Sequence, residues 1–332
     1  MFETYKPSGR FGLLVIPLTL LGIGGAAGLS YLYQLGLYWL PLIYISFLLT
    51  IVFGIALGMI GSEIVTRSKT RNTWLAMGIG LLLTFAGVGG KSFLQYQHFL
   101  TECTEAAMKI PDLNPALNKS QVRNLVKEKF TFGKHIEHRV DEGWKIGQGR
   151  IPITGVFVYG IWLIELVVIG FCIIDGMRTA ASEPFSEKLD EWALEKETLM
   201  RLPIGNNEMV AKIKSATTVA ELLEMPIPKS IKSNQYAIYR VNSIEGQETE
   251  DAYLSVNLTT VTIEKNGSRK TETTTLVQHA ILSAEQRKQL VENAELLNEA
   301  MEDYEAAMAS GTDDESEEAA EDDFPDSEAD PS

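Results

Sequence analysis

Glu165 is the residue whose position calls for chemistry. It is the only acid or base within the apolar stretch 152–174, PITGVFVYGIWLIELVVIGFCII. That stretch is long enough to cross a bilayer core of about 30 Å as a helix, and it places the acid near mid-span. A carboxylate at bilayer centre costs about 2.5–3.5 kcal/mol on insertion scales, so it is normally used or neutralised. Used, it would be a proton relay or a cation site inside a helix bundle. Neutralised, it would be a protonated acid bonded to a neighbour such as Thr50 or Thr84, fixing how helices pack. The spans show one acid and no pair, which favours packing.

A second group of candidates lies in the polar stretch 91–151, which holds three of the four histidines. His98 and Glu102 are one helical turn apart, and His135 and His138 are spaced i, i+3. Imidazole and carboxylate are zinc and copper ligands. The two groups are separated by the stretch 103–134 and match no ligand motif, so solvated side chains are the simpler reading and no metal or cofactor is expected. The two cysteines, Cys103 and Cys172, support neither a disulfide framework nor a thiolate site.

No phosphate-binding loop, dinucleotide fingerprint, HExxH, GxSxG or CxxC is present. No nucleophile stands at a known spacing from a base. The expectation is a protein that is not an enzyme. The net charge of −15 is concentrated at the end of the chain. Residues 313–330 carry eleven acids and no base, leaving about −4 for the rest. Nucleic acid is therefore not an expected partner.

The elements that must position these residues are mostly apolar helices. Spans are expected at about 11–33, 39–61 and 74–90, forming a membrane unit over 1–90, with a fourth at 152–175. The link 34–38 is short and uncharged, so the first two spans form an antiparallel hairpin, with Tyr38 and Trp39 at headgroup level. Small residues recur at i, i+4: Gly24 and Gly28, Gly54 and Gly58, Ala76 and Gly80. They are expected to let helices approach closely, within one chain or between copies.

Arg67, Lys69 and Arg71 cluster in one short loop, which orients that loop to the cytoplasm. With four spans both termini are then cytoplasmic, in the inner membrane for a bacterial source. Residues 91–151 fall outside, although they carry ten Lys and Arg. Prolines 111 and 115 divide this segment into helices, the later one around 120–132.

After the fourth span the chain reads as water-soluble. A cytosolic α+β domain is expected over 182–308. It opens with a charged helix at 184–200, then short helices at 209–213 and 219–223. Strands follow at 235–242, 252–264 and 269–282, making a three-stranded antiparallel sheet. Asn266-Gly267 signals a hairpin in which Glu264 faces Arg269, Ile263 faces Lys270 and Val256 faces Val277. A helix at 284–308 presents Leu290, Ala294, Leu297, Met301, Tyr304 and Met308 as one apolar seam, best used to cover the sheet. The tail, 311–332, lacks aliphatic core formers and is expected to be disordered.

The fold class is thus a four-helix membrane protein with a small α+β soluble domain and an acidic tail. Its partners are the lipid bilayer and an unidentified protein engaging the cytosolic domain, with a homo-oligomer also open. The expected function is a membrane-anchored interaction or scaffold protein. A small transporter using Glu165 and a membrane sensor are the alternatives.

Overall fold

The structure, a computed structural model, describes residues 3–39, 43–110, 118–146, 151–205, 207–218, 221–222, 234–246, 252–264 and 268–310. The expected acidic tail and the Asn266-Gly267 turn lie outside these residues. The chain divides into two compact units, Lys6–Phe185 and Met1–Tyr5 with Ser186–Ser332.

The first unit holds four helices long and apolar enough to cross a membrane. They are α1 (Val15–Trp39), α2 (Ile43–Arg67), α3 (Thr73–Met108) and, later in the chain, α6 (Val156–Ser182). Each overruns the expected span. Backbone N–H and C=O groups find no water in hydrocarbon, so helix persists until the chain reaches the interface. Residues 34–38, expected as a link, are the last turns of α1. Helix α2 continues through Glu63 and Arg67, which pair at 2.7 Å. The bases therefore turn in a tighter loop, 68–72. Gly12 donates its N–H to Ser68 O, and Arg71 donates to Arg10 O, so residues 9–12 run alongside that loop.

Helix α3 starts at an Asn72 cap whose side chain accepts from Leu75 N. It runs on for 36 residues, about 54 Å at 1.5 Å per residue. That exceeds a bilayer core by about 24 Å, so its C-terminal part extends beyond a membrane span. There Tyr96 and Leu100 pack against Val122 and Val126 of α4 (Lys119–Lys129). Helix α5 (Phe132–Glu142) follows, then a two-stranded hairpin of β1 (Trp144–Ile146) and β2 (Ile151–Ile153). Pro152, expected inside the fourth span, belongs to β2, opposite Lys145. Gly155 takes φ +65°, which glycine adopts without strain, and turns the chain into α6.

The bundle core is Leu57, Leu83, Ile169, Ile173 and Met177, all 0% exposed. Leu20, Leu21, Leu163 and Phe171 point outward and are exposed, as lipid-facing side chains should be. An even number of crossings returns the chain to the side on which it began. That agrees with residues 3–5 entering the second unit: Ile281 N donates to Glu3 O and Tyr5 N to His279 O.

The second unit is built on a four-stranded antiparallel sheet in the order β5-β6-β7-β8. These strands are β5 (Glu195–Pro203), β6 (Gln235–Ser243), β7 (Ala252–Ile263) and β8 (Arg269–Leu282), preceded by a two-stranded pair, β3 (Phe185–Ser186) and β4 (Glu191–Trp192). The helix expected at 184–200 does not form. Glu, Lys, Leu and Met favour helix locally, but pairing with β6 overrides the preference. An irregularity between Thr198 and Met200 turns two sequence neighbours, Leu199 and Met200, both into the core.

The β7–β8 hairpin has Val256 opposite Val277 as expected. Near the tip the register is one residue different: Ile263 faces Arg269 and Thr262 faces Lys270. Irregularities on both sides of Val256 absorb the offset. Helix α7 (Asn207–Ser215) and helix α8 (Ala284–Ser310) cover the sheet. Ser283 and Gln286 cap α8 reciprocally. Leu290, Ala294 and Leu297 of the seam pack with Leu199, Met209 and Val241. The side chains of Met301, Tyr304 and Met308 lie outside the described residues. Of the helix expected at 219–223, only Glu221 and Leu222 are described, and they are helical.

Candidate functional site

Glu165 is not alone. Its Oε1 accepts from Lys91 Nζ and from the Tyr33 hydroxyl at 2.8 Å. Tyr33 Oη also lies 2.8 Å from Thr50 Oγ1, and Thr50 reaches Ser46 O at 3.0 Å. Each hydroxyl has one proton. With Tyr33 donating to the carboxylate, Thr50 is left to donate either to Tyr33 or to Ser46. Tyr33 is held by stacking on Phe53, ring centroids 4.6 Å apart, and Lys91 Nζ lies 5.1 Å above the Tyr33 ring. Four helices contribute: α1 the tyrosine, α2 the threonine, α3 the lysine and α6 the acid. Thr84, the other neighbour expected for Glu165, donates to Gly80 O instead.

The site lies in the part of the bundle next to α5, whose Arg139 and Glu142 line a cavity beside it. Glu165 is nine residues from the start of α6, about 14 Å along the axis. Tyr33 is six residues from the end of α1, about 9 Å. The lone acid read from the sequence is corrected on one count: Glu165 has a cationic partner, Lys91. A paired carboxylate is less costly under lipid than a lone one.

Lys91 was counted with the polar outer segment because the apolar run breaks at Gly89-Gly90. A signal for it was present. Gly80, Thr84, Gly87 and Lys91 are all buried and spaced 4-3-4, so the lysine continues the inward face of α3.

A cavity of about 730 Å³ opens beside the pair. Leu37, Phe47, Trp162 and Ile164 give it apolar walls, and Gln95 and Arg139 give it polar ones. Phe47 and Ile164 are 52% and 57% exposed, so this wall meets the lipid side of the bundle. Below the cavity the bundle is closed. A Cβ on Gly54 would come within 3.2 Å of Ile169 Cα, and one on Gly58 within 3.0 Å of Cys172 O. These two glycines let α2 and α6 touch backbone to backbone. Ala76 is buried, and Gly80 adjoins Ile174 and Met177. Gly24 and Gly28 meet nothing within 4 Å inside the chain, so their face of α1 packs no other helix here. Gly22 instead approaches Ile64 and Leu83.

The three histidines gather, lining one smaller cavity beside Phe99. His98 Nε2 lies 3.2 Å from Glu102, both exposed. His135 is 3% exposed and sits among the rings of Tyr96, Phe99 and Phe132, its Nδ1 without a hydrogen-bond partner. Burial lowers its pKa below the usual histidine value, helped by the nearby charges of Arg139 and His138. The His138 ring lies tilted against that of Phe99, centroids 5.5 Å apart. Among the described residues no three His, Cys, Asp or Glu groups come together to hold a metal ion.

Arg139 was not singled out from the sequence. It projects from α5 into the cavity wall, and among the described residues its guanidinium has no hydrogen bond or ion pair. Burial lowers its pKa from the ordinary arginine value, and the attractions of Glu142 and Glu165 only partly offset that. It remains a cation, with unused donors. No protein-family model matches the chain, and no curated protein and no solved structure matches it.

Proposed function

We propose that this is a membrane sensor. Its bundle takes up a small molecule in the cavity beside Lys91 and Glu165, and its soluble domain passes the occupancy on to a protein partner. One observation carries the reading. Tyr33 and Glu165 are bonded to each other at the cavity, and each stands on a helix whose other end is joined along the chain to the second unit, α1 through residues 6–14 and α6 through residues 183–185. Helix α1 is preceded by residues 3–5, which pair with β8, and α6 is followed by the chain entering β3–β5. A ligand that breaks the Tyr33–Glu165 bond would free two levers acting on one domain. A two-state element biased from one site is what transmission requires.

The expected scaffold role becomes the output half of this reading. The transporter reading is weaker, because the bundle is closed below the cavity by Leu57, Leu83, Ile173 and Met177. The orientation proposed is cytoplasmic termini and an outer 91–151 segment, in keeping with Arg67, Lys69 and Arg71.

The test is hydrogen exchange on the full chain in lipid nanodiscs, wild type against Glu165→Gln. Changed protection in β6–β8, with the protein still monodisperse, is the expected result. Protection unchanged in those strands, while the bundle ends loosen, would sink the sensor reading.

A further inference from the structure

We propose that the cavity binds a single-chain anionic amphiphile, its carboxylate or phosphate headgroup held by Arg139 and Lys91 and its chain lying against Leu37, Phe47 and Ile164. The inference deepens the sensor reading and rests on it for its consequence, though not for its chemistry.

Donor capacity is the first argument. Besides two tyrosines, five acidic or basic side chains line the cavity among the described residues: Lys91, His98, Arg139, Glu142 and Glu165. Glu165 is already engaged by Lys91 and Tyr33, and His98 by Glu102. Lys91 spends one of its three donors on that pair, while the guanidinium of Arg139 spends none among the described residues. The formal charges of the wall balance, but its two cations keep unused donors, two on Lys91 and five on Arg139. An acceptor-rich group is the complement. Glu142, three residues after Arg139, is the opposing charge, and it is exposed to water.

The second argument is unpartnered polar surface. The Oε1 of Gln34 is buried without a hydrogen-bond partner and lines the same cavity. Rotated half a turn, that amide presents its NH2. A buried polar group left unmade costs free energy unless something completes it. Arg139 tells the same story, since burial lowers its pKa more than its carboxylate neighbours raise it.

The third argument is shape and location. The cavity is large enough for a drug-sized or lipid-chain ligand. Its apolar wall includes Phe47 and Ile164, which are half exposed on the lipid side, so a chain can enter laterally. The cations stand at the end of the bundle next to α5, with Glu142 and Gly143 on the same wall. A soluble anion would use the donors and leave the apolar wall wet, whereas an amphiphile uses both.

The experiment places the full chain in phosphatidylcholine nanodiscs and follows quenching of Trp162, which lines the cavity, by brominated chains. Trp162→Phe supplies the background from the other tryptophans. Brominated oleate and brominated lysophosphatidate are compared with brominated oleyl alcohol, and inorganic phosphate is added as a competitor. Both anions are expected to quench Trp162 at concentrations at least about tenfold below the alcohol. Arg139→Gln should lose about tenfold or more, with Arg139→Lys between. Inorganic phosphate should not compete. Equal quenching by the alcohol, an unchanged Arg139→Gln, or displacement by phosphate alone would each overturn the inference. If the anions bind but protection in β6–β8 does not move, the site stands and the sensor reading falls. If no anion binds while Glu165→Gln still alters β6–β8, the reverse holds.

Discussion

Lys91 and Glu165 lie 74 residues apart in the chain and form one ion pair between α3 and α6, with side chains 10% and 12% exposed. The pair ties the helix that carries the outer cap to the helix that leads into the soluble domain. It also settles the electrostatics of the bundle. Two opposite charges brought together under lipid cancel most of the cost that either would carry alone. Removing one member is therefore a different experiment from removing both.

Lys91→Met and Glu165→Gln should each destabilise the bundle, by about 3–5 kcal/mol where a buried charge is left without its partner. The effects need not be equal. Glu165→Gln keeps an amide oxygen for Tyr33 and Lys91, while Lys91→Met strands the carboxylate. The double replacement Lys91→Met/Glu165→Leu should recover most of the loss. Thermal unfolding in one detergent, followed as a complete double-mutant cycle, measures this. Strictly additive losses would mean that the two side chains do not interact.

Tyr33→Phe isolates the hydroxyl. The ring stack on Phe53 survives, but Glu165 loses a donor and Thr50 loses a neighbour. A hydrogen bond to a charged group is worth about 1.5–3 kcal/mol, so a moderate fall in Tm is expected. It should be smaller than for Lys91→Met. In the Lys91→Met/Glu165→Leu background Tyr33→Phe should cost much less, because the carboxylate is gone.

How far this site could be read from the sequence depends on which signal each residue carries. Glu165 was legible because an acid in an apolar run is conspicuous by composition alone. Lys91 was not, because it sits where the run ends, and only its 4-3-4 spacing from Gly80, Thr84 and Gly87 marks it as inward. Arg139 carried no signal: its place at the cavity depends on α5 folding back, which no local pattern encodes. In the soluble unit β6, β7 and β8 were legible from β-branched residues at period two. Strand β5 was not, because Glu195, Lys196 and Glu197 read as helix until β6 is present to pair with them. The Val256–Val277 pairing was legible, but the irregularities around it shift the tip by one residue, and they follow from three-dimensional twist rather than turn chemistry.

The outer cap should loosen in mild acid because of His135. Its pKa in the folded protein lies below the usual value of 6.5, with burial the main cause. Below that value the unfolded cap binds more protons than the folded one, so stability rises with pH in that window. The contribution is whole above about pH 6.5 and is lost as pH falls. Hydrogen exchange in α4 and α5, corrected for intrinsic rates, should show faster opening at pH 5.5 than at 7.5. His135→Phe, which suits the ring of aromatic neighbours and cannot be protonated, should flatten the difference. An unaltered pH dependence in that variant would move the origin to another group.

The glycine pairs make opposite predictions despite having the same i, i+4 pattern. At Gly58 an added Cβ would lie 3.0 Å from Cys172 O, and at Gly54 3.2 Å from Ile169 Cα. Both contacts are with backbone or its first carbon on α6, which cannot swing aside, so α2 and α6 must separate. Gly58→Ala should cost about 1–3 kcal/mol through overpacking, and Gly58→Leu should abolish the native bundle. At Gly24 and Gly28 there is nothing within 4 Å. Alanine there replaces a poor helix former with the best one, so Tm should hold or rise by a few degrees. Side-by-side unfolding of Gly24→Ala, Gly28→Ala, Gly54→Ala and Gly58→Ala in one detergent reads the contrast. If the α1 pair proved as sensitive as the α2 pair, α1 would have to lie closer to another helix than it does in this fold.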